Sequence, residues 1–229
     1  MSVYSCDHIW ANSTWTRNHI GNIAEILYPP CDTTPEADLL KTRENIVISV
    51  AQFRPEKNHK MLIEAFSDFL KQLDQPDYKL VMIGGCRNEE DFKRMENLRE
   101  LTVKLKIQDS VEFKPNLPFP ELQEYQKSAK IGMHAMINEH FGIVIVEFQA
   151  NGVIPVAHNS AGPKEDIIAG KYGYLADDKT SFTESLLNIS KLLNDELIEL
   201  RQENFKHSQI FSHGSFIEKF AKSMAKIIN

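Results

Sequence analysis

Between residues 46 and 158, short apolar runs alternate with longer stretches in which apolar residues return every three or four positions. "IVISVA" (46–51) is brief, β-branched and apolar at successive positions, the pattern of a strand covered on both faces. "NHKMLIEAFSDFLKQL" follows, with Leu62, Phe66, Phe69, Leu70 and Leu73 at helical spacing, which predicts a helix lying on a sheet. "KLVMIGG" reads as strand and turn, closed by Gly84 and Gly85. In "NEEDFKRMENLRELTVKLK" the residues Phe92, Met95, Leu98, Leu101 and Leu105 form one face of a long, highly charged helix. "SVEF", "KIGMHA" and "VIPVAH" are further strands, separated by helices expected at 118–128 and 141–152. This alternation predicts an α/β fold, a doubly wound parallel sheet with right-handed crossovers. Such sheets bind ligands beyond the carboxyl ends of their strands, so the loops after residues 51, 84, 113, 134 and 158 are where chemistry is expected.

The two ends of the chain differ from this middle. Past about residue 178 only helical patterns remain, in "TSFTESLLNISKLLN", "DELIELRQENFKHS" and "HGSFIEKFAKSMAKII". Near the start, "HIWANSTWTRNHI" predicts the end of a strand and then a helix capped by Ser13. The proline pair of "YPPCDTTPEAD" interrupts regular structure and opens a polar linker, which places a domain boundary near residue 30.

Composition excludes several classes of function. The 229 residues are 42% apolar and 25% charged, which suits an ordinary globular chain with one substantial core. No run approaches the ~20 apolar residues that cross a bilayer, and "MSVYSCDHIW" has no signal-peptide core. A formal charge of −6 argues against general nucleic-acid binding, which needs clustered Lys and Arg. Cys6, Cys31 and Cys86 fit neither a disulfide framework nor zinc spacing, so reduced thiols are expected. The sequons at Asn12 and Asn188 are expected to be unoccupied. His140 and His158 have no neighbours at metal-ligand spacing, and no metal is expected.

In "NEHFGIVIVE" (138–147), Glu139 and Glu147 flank a wall of branched aliphatics. A glycosidase pair would hold two carboxyls ~5 to 9.5 Å apart. Were 139–147 a single helix, a rise of ~1.5 Å per residue would part their backbones by ~12 Å, which disfavours that reading. The bland alternative puts Glu139 in a solvated loop and Glu147 on a helix surface. Yet Ile143, Val144, Ile145, Val146 and Phe148 give Glu147 little polar company, and an unpaired buried carboxylate costs several kcal/mol, so a donor should meet it. Periodicity alone leaves "GIVIVE" open as helix or strand.

"EHFGIVIVE" resembles the E-x7-E signature of the retaining glycosyltransferases of family 4, which have the GT-B fold of two facing Rossmann-like domains. "ISVAQFRPEKNHKMLIEAF" is similar to that family's strand, basic loop and helix, and "LVMIGG" to its next strand and turn. "YPPCDT", "QFRPEKNH", "IGGCRN" and "NEHFGI" together resemble the branch that uses GDP-mannose to extend a dolichol-linked oligosaccharide on the cytosolic face of the endoplasmic reticulum. The likeness covers nearly the whole chain, most specifically Tyr28 to Pro163. It implies a remnant of the amino-terminal acceptor domain and linker over 1–30, a nucleotide-sugar domain over 31–210, and a last helix over 211–229 packing toward the missing domain.

The resemblance also implies roles. Phe141, Gly142 and Ile143 would open a helix whose free N–H groups face the donor diphosphate. Glu147 would take the ribose hydroxyls and Glu139 the hydroxyls of the transferred mannose. Lys57 and Arg54 would neutralise the departing diphosphate. Arg54 is carried over although the family's usual arginine falls at Gln52, and its glycine at Ala51. Gly84 would border the site, and backbone around Lys114 would hold the base. Asn159 and Gly162 in "HNSAGPKED" would line the site, with an ordinary strand-to-helix turn as the alternative. His134 is either a site residue or a hydrogen-bonded core histidine.

The implied activity is retaining mannosyl transfer from GDP-mannose to a lipid-linked oligosaccharide, without cofactor or metal and with no nucleic-acid partner. Membrane contact would come only through the absent amino-terminal region. Alone, this chain would bind donor without transferring sugar. The alternatives are a UDP- or ADP-sugar transferase of the same family, or a non-catalytic nucleotide-sugar-binding fragment. In the last helix, Phe216, Ile217, Phe220, Met224, Ile227 and Ile228 form a face expected to lie partly open.

Overall fold

The computed structural model describes residues 8–21, 23–34, 38–75 and 77–228, without the side chains of Ile227 and Ile228; Cys6 lies outside the described residues. Strands β1 (Trp10–Ala11) and β2 (Glu25–Ile26) form a small parallel sheet bridged by helix α1 (Thr14–Ile20). Ser13 caps α1 as expected, its hydroxyl accepting from the Thr16 amide at 3.0 Å.

The main body is a six-stranded sheet of β3 (Glu44–Val50), β4 (Lys79–Gly84), β5 (Val111–Pro115), β6 (Ala129–His134), β7 (Ile154–His158) and β8 (Tyr174–Ala176). Its order is β5-β4-β3-β6-β7-β8 and every pairing is parallel. The order reverses direction between β3 and β6, and that is the switch point where doubly wound sheets form their crevice.

Helices α2 (His59–Leu70), α3 (Glu89–Lys104) and α6 (Lys179–Lys191) cover one face; α4 (Phe119–Ser128) and α5 (Ile143–Ala150) cover the other. Adjacent strand residues serve opposite faces, as the pleat requires. Val47, Leu80 and Met82 meet Leu62, Phe66 and Phe69, whereas Ile48, Val81 and Ile83 meet Phe148. Both sets are buried, which is why the strands read as unbroken apolar runs. Gly132 exists for this packing, since a Cβ there would fall 2.3 Å from the Phe148 ring.

Helices α7 (Asn194–Ser208) and α8 (His213–Ile228) complete the chain. Helix α8 lies against the small sheet: Trp10 Nε1 donates to Ser223 Oγ at 3.1 Å, and that hydroxyl donates to Glu25 at 2.6 Å. On its outer side Ile217 is 64% exposed, whereas the ring of Phe220, 39% exposed, packs 5.6 Å from that of Trp10.

Several expectations are corrected. "GIVIVE" is helical, but α5 starts at Ile143 and ends at Ala150 rather than spanning 141–152. Glu139 therefore lies in the preceding loop, and the ~12 Å spacing along a single helix does not apply. Phe92 is 42% exposed because it lies in the first turn of α3 at the edge of the stripe that Asp91, Met95, Leu98 and Thr102 bury. Strand β8 escaped notice because three residues are too few to show a period.

Candidate active site

A cleft of about 770 Å³ opens at the carboxyl ends of the strands, at the switch point. Its walls come from the loops after β3, β4, β5 and β6 and from the start of α5. The loop after β7 stands behind this wall. There the Gly162 amide donates to the Glu139 carbonyl at 3.0 Å, and the Ser160 hydroxyl accepts from the Asn138 amide at 2.9 Å.

Glycine is required at three points around the cleft. A Cβ on Gly84 would fall 1.9 Å from the Ala51 carbonyl oxygen, so only glycine lets the first two loops run together. A Cβ on Gly162 would lie 2.6 Å from the backbone of His140 and Phe141. Gly142 holds φ at 109°, a left-handed conformation that turns the chain into α5. No side chain caps α5, so its first N–H groups and its positive dipole end open into the cleft.

Glu139 is the most constrained group. Its Oε2 accepts from Lys57 Nζ at 3.0 Å and from His134 Nε2 at 3.1 Å, and its side chain is 19% exposed. These bonds, that from His134 foremost, hold the carboxyl far below its ordinary range, at about 2. Lys57 is delivered by a single 3-10 turn, Pro55–Lys57, and its ammonium also lies 3.0 Å from the Met136 sulfur.

Glu147 is shifted the other way. Burial raises its pKa, and the charge of Asp32 raises it further. The nearby Gln126 offsets part of this, yet its buried amide nitrogen finds no partner at hydrogen-bond distance. Glu147 thus faces the cleft as an under-satisfied carboxylate; the donor that the sequence led one to expect beside it is not supplied at hydrogen-bond distance by Gln126.

Of the sequence-predicted site residues, Lys57, Gly84, Glu139, Phe141, Gly142, Ile143 and Glu147 line one cleft. Four do not reach its wall. Arg54 extends toward Glu56 at 3.9 Å, and Lys114 pairs with Glu112 at 3.0 Å. Asn159 donates to Asp177 at 3.3 Å, and Gly162 supports the Glu139 loop from behind. Sequence reasoning passed over Asn116. Its amide exchanges two hydrogen bonds with the Cys86 backbone, at 2.9 and 3.1 Å, and so clamps the loop after β5 to that after β4. Its φ of 52° was signalled only by the tolerance of Asn for left-handed turns. Asn12, from the segment between β1 and α1, also reaches the cleft.

Among the described residues no three His, Cys, Asp or Glu side chains are grouped as metal ligands. No described helix is long and apolar enough to cross a membrane.

This parallel sheet, with its crevice at the switch point and its two oppositely shifted glutamates, sits in a chain whose residues 32–209 match the profile of the Glycosyl transferases group 1. The chain belongs to that family. It is 41% identical to the GDP-Man:Man(3)GlcNAc(2)-PP-Dol alpha-1,2-mannosyltransferase of Homo sapiens, over 98% of this chain and 50% of that protein. The Dictyostelium discoideum protein of the same name is 38% identical over 96% of this chain and 47% of its own length. The chain thus spans about half the length of these curated relatives. A glycosyltransferase from Rickettsia africae superposes with a TM-score of 0.83 at 18% identity, over 97% of this chain and 64% of that one. The sucrose-phosphate synthase from Thermosynechococcus elongatus gives 0.82 at 17%, over 97% and 59%. These likenesses establish the fold of this chain as that of one Rossmann-like half of the GT-B glycosyltransferases.

Proposed function

We propose that this chain is the donor-binding half of a retaining α-1,2-mannosyltransferase that moves mannose from GDP-mannose to a dolichol-linked oligosaccharide. The observation that carries the proposal is the meeting of Lys57, Glu139, Glu147 and the open start of α5 in one cleft, in a chain 41% identical to half of a protein named for that reaction.

The donor is assigned by its chemistry. The diphosphate lies at the start of α5, where free N–H groups and roughly half a positive charge await an anion. Gly142 has no side chain to hold phosphate off. The ribose hydroxyls donate to Glu147, whose buried charge lacks a full complement of partners. The guanine rests against the edge formed by Gly85, Asn116 and Leu117. Glu139, ionised and fixed, accepts from hydroxyls of the mannose. As the bond from the anomeric carbon to the diphosphate breaks, negative charge grows on the leaving group, and Lys57 and the α5 dipole stabilise it. These groups supply the charge that a divalent cation supplies elsewhere, so the reaction is assigned no metal.

Residues 8–30 and α8 are assigned to the junction with an acceptor-binding domain, and the exposed side of α8 bearing Ile217 faces it. With the dolichol-linked acceptor held by that domain, the reaction is assigned to the endoplasmic reticulum membrane, and in this reading to its cytosolic face. The test is a hybrid enzyme in which this chain replaces the corresponding half of the human relative, in cells lacking that activity. Extension of the Man(3)GlcNAc(2)-PP-Dol intermediate is expected; accumulation of that intermediate, with the hybrid folded and expressed, would refute the proposal.

A further inference from the structure

His134 ends β6, where the sequence left it as either a site residue or a core histidine. It is 4% exposed, so its ring touches no solvent of consequence and is held by packing. Its Nε2 lies 3.1 Å from Glu139 Oε2, and Lys57 Nζ lies 3.0 Å from the same oxygen. A carboxylate carries two oxygens with two lone pairs each. Both donors are spent on one of them. No hydrogen bond from a described residue reaches Oε1, and that atom is not among the buried polar atoms that lack a partner. Oε1 is therefore the oxygen left to the cleft.

The consequence is geometric. A carboxylate held by one flexible lysine can swing about its terminal torsion, because such torsions are broad. A second donor, delivered from a buried ring on a rigid strand, removes that freedom and fixes which oxygen faces outward. We propose that His134 is a positioning residue that, with Lys57, pins Oε2 of Glu139 and presents Oε1 as the single acceptor for hydroxyls of the donor's sugar. Because the ionised carboxylate can only accept, Nε2 carries the hydrogen. A glutamine can place its own Nε2 where the histidine has its Nε2, whereas phenylalanine keeps the ring shape without a donor.

The inference rests on reading the cleft as a nucleotide-sugar site. The test is calorimetric titration of the 229-residue chain and its H134F and H134Q variants with GDP and with GDP-mannose, with thermal unfolding followed in parallel. For H134F the expected result is about tenfold weaker GDP-mannose binding with GDP affinity held within about twofold; H134Q recovers most of the loss. Equal losses for both ligands, or no recovery in H134Q, would overturn the positioning role. Should H134F unfold, the comparison of H134Q with wild type, together with the ring ¹⁵N resonances of His134 in wild type and E139Q, decides the matter. A shifted Nε2 resonance in E139Q with near-native sugar selectivity in H134Q supports the role; an unmoved resonance or lost selectivity overturns it. A wild-type chain that binds neither GDP-mannose nor GDP would overturn the donor reading and this inference together. Wild-type discrimination that survives in H134F would overturn this inference alone.

Discussion

Replacing Glu147 by glutamine should make the ligand-free chain more stable and the nucleotide complex weaker. Burial and the charge of Asp32 raise the Glu147 pKa above its ordinary 4.5. The native state therefore keeps this proton to higher pH than the unfolded chain does. Stability falls as pH rises from 4.5 through the folded value, and at neutral pH the ionised group is a standing cost. Removing the charge while keeping the shape should recover on the order of 1 kcal/mol, because the group is partly solvated. For a chain of this size that is a rise in Tm of roughly 2 to 4 °C. With GDP the sign reverses. The ribose hydroxyls lose an ionised acceptor, and hydrogen bonds to charged groups are worth about 1.5 to 3 kcal/mol. Affinity should fall by one to two orders of magnitude. Thermal unfolding at pH 7 without ligand, and calorimetry with GDP, measure the two halves. A lower Tm together with unchanged GDP affinity would make Glu147 a structural group and rule out its role as ribose acceptor.

Glu139 should show the opposite linkage. Its carboxyl is depressed to about 2, so its stabilising contribution is complete above 4.5 and is lost as pH falls through that value toward 2. Glu139→Gln should remove roughly 2 to 3 kcal/mol at neutral pH and flatten the acid limb of the stability curve, which pH-dependent denaturation would reveal. Gly142→Ala must adopt a φ of 109° and meet the Ile145 side chain at 2.9 Å. It should lose about 1 to 2 kcal/mol of stability and weaken GDP while leaving guanosine binding unaltered; titration with both ligands checks the split. Added EDTA should leave GDP-mannose affinity unchanged, and a loss restored by magnesium would refute the assignment of charge stabilisation to Lys57 and α5.

The sheet was legible because strands buried on both faces must be apolar throughout, and helices lying on them must carry a stripe. Val47 and Ile48 serve different cores, yet either alone reads simply as a strand residue. The site was legible where backbone geometry and charge coincide in a few residues, as in Glu139–Glu147. Loop side chains were less so: Arg54 and Lys114 have the right charge and the right loop, but their directions depend on Glu56 and Glu112 beside them. The partnership of His134 with Glu139 spans a loop whose path no periodicity encodes. The Asn116 clamp joins residues 30 apart through an amide that any exposed asparagine could carry.

Everything assigned to this cleft depends on its taking GDP-mannose. The decisive measurement is titration of the purified chain with GDP-mannose, GDP and UDP-glucose under one buffer condition. Saturable binding of GDP-mannose is expected, with GDP competing at the same site and UDP-glucose weaker by about tenfold or more. Equal or tighter binding of UDP-glucose, or no binding of GDP-mannose by the folded chain, would contradict it.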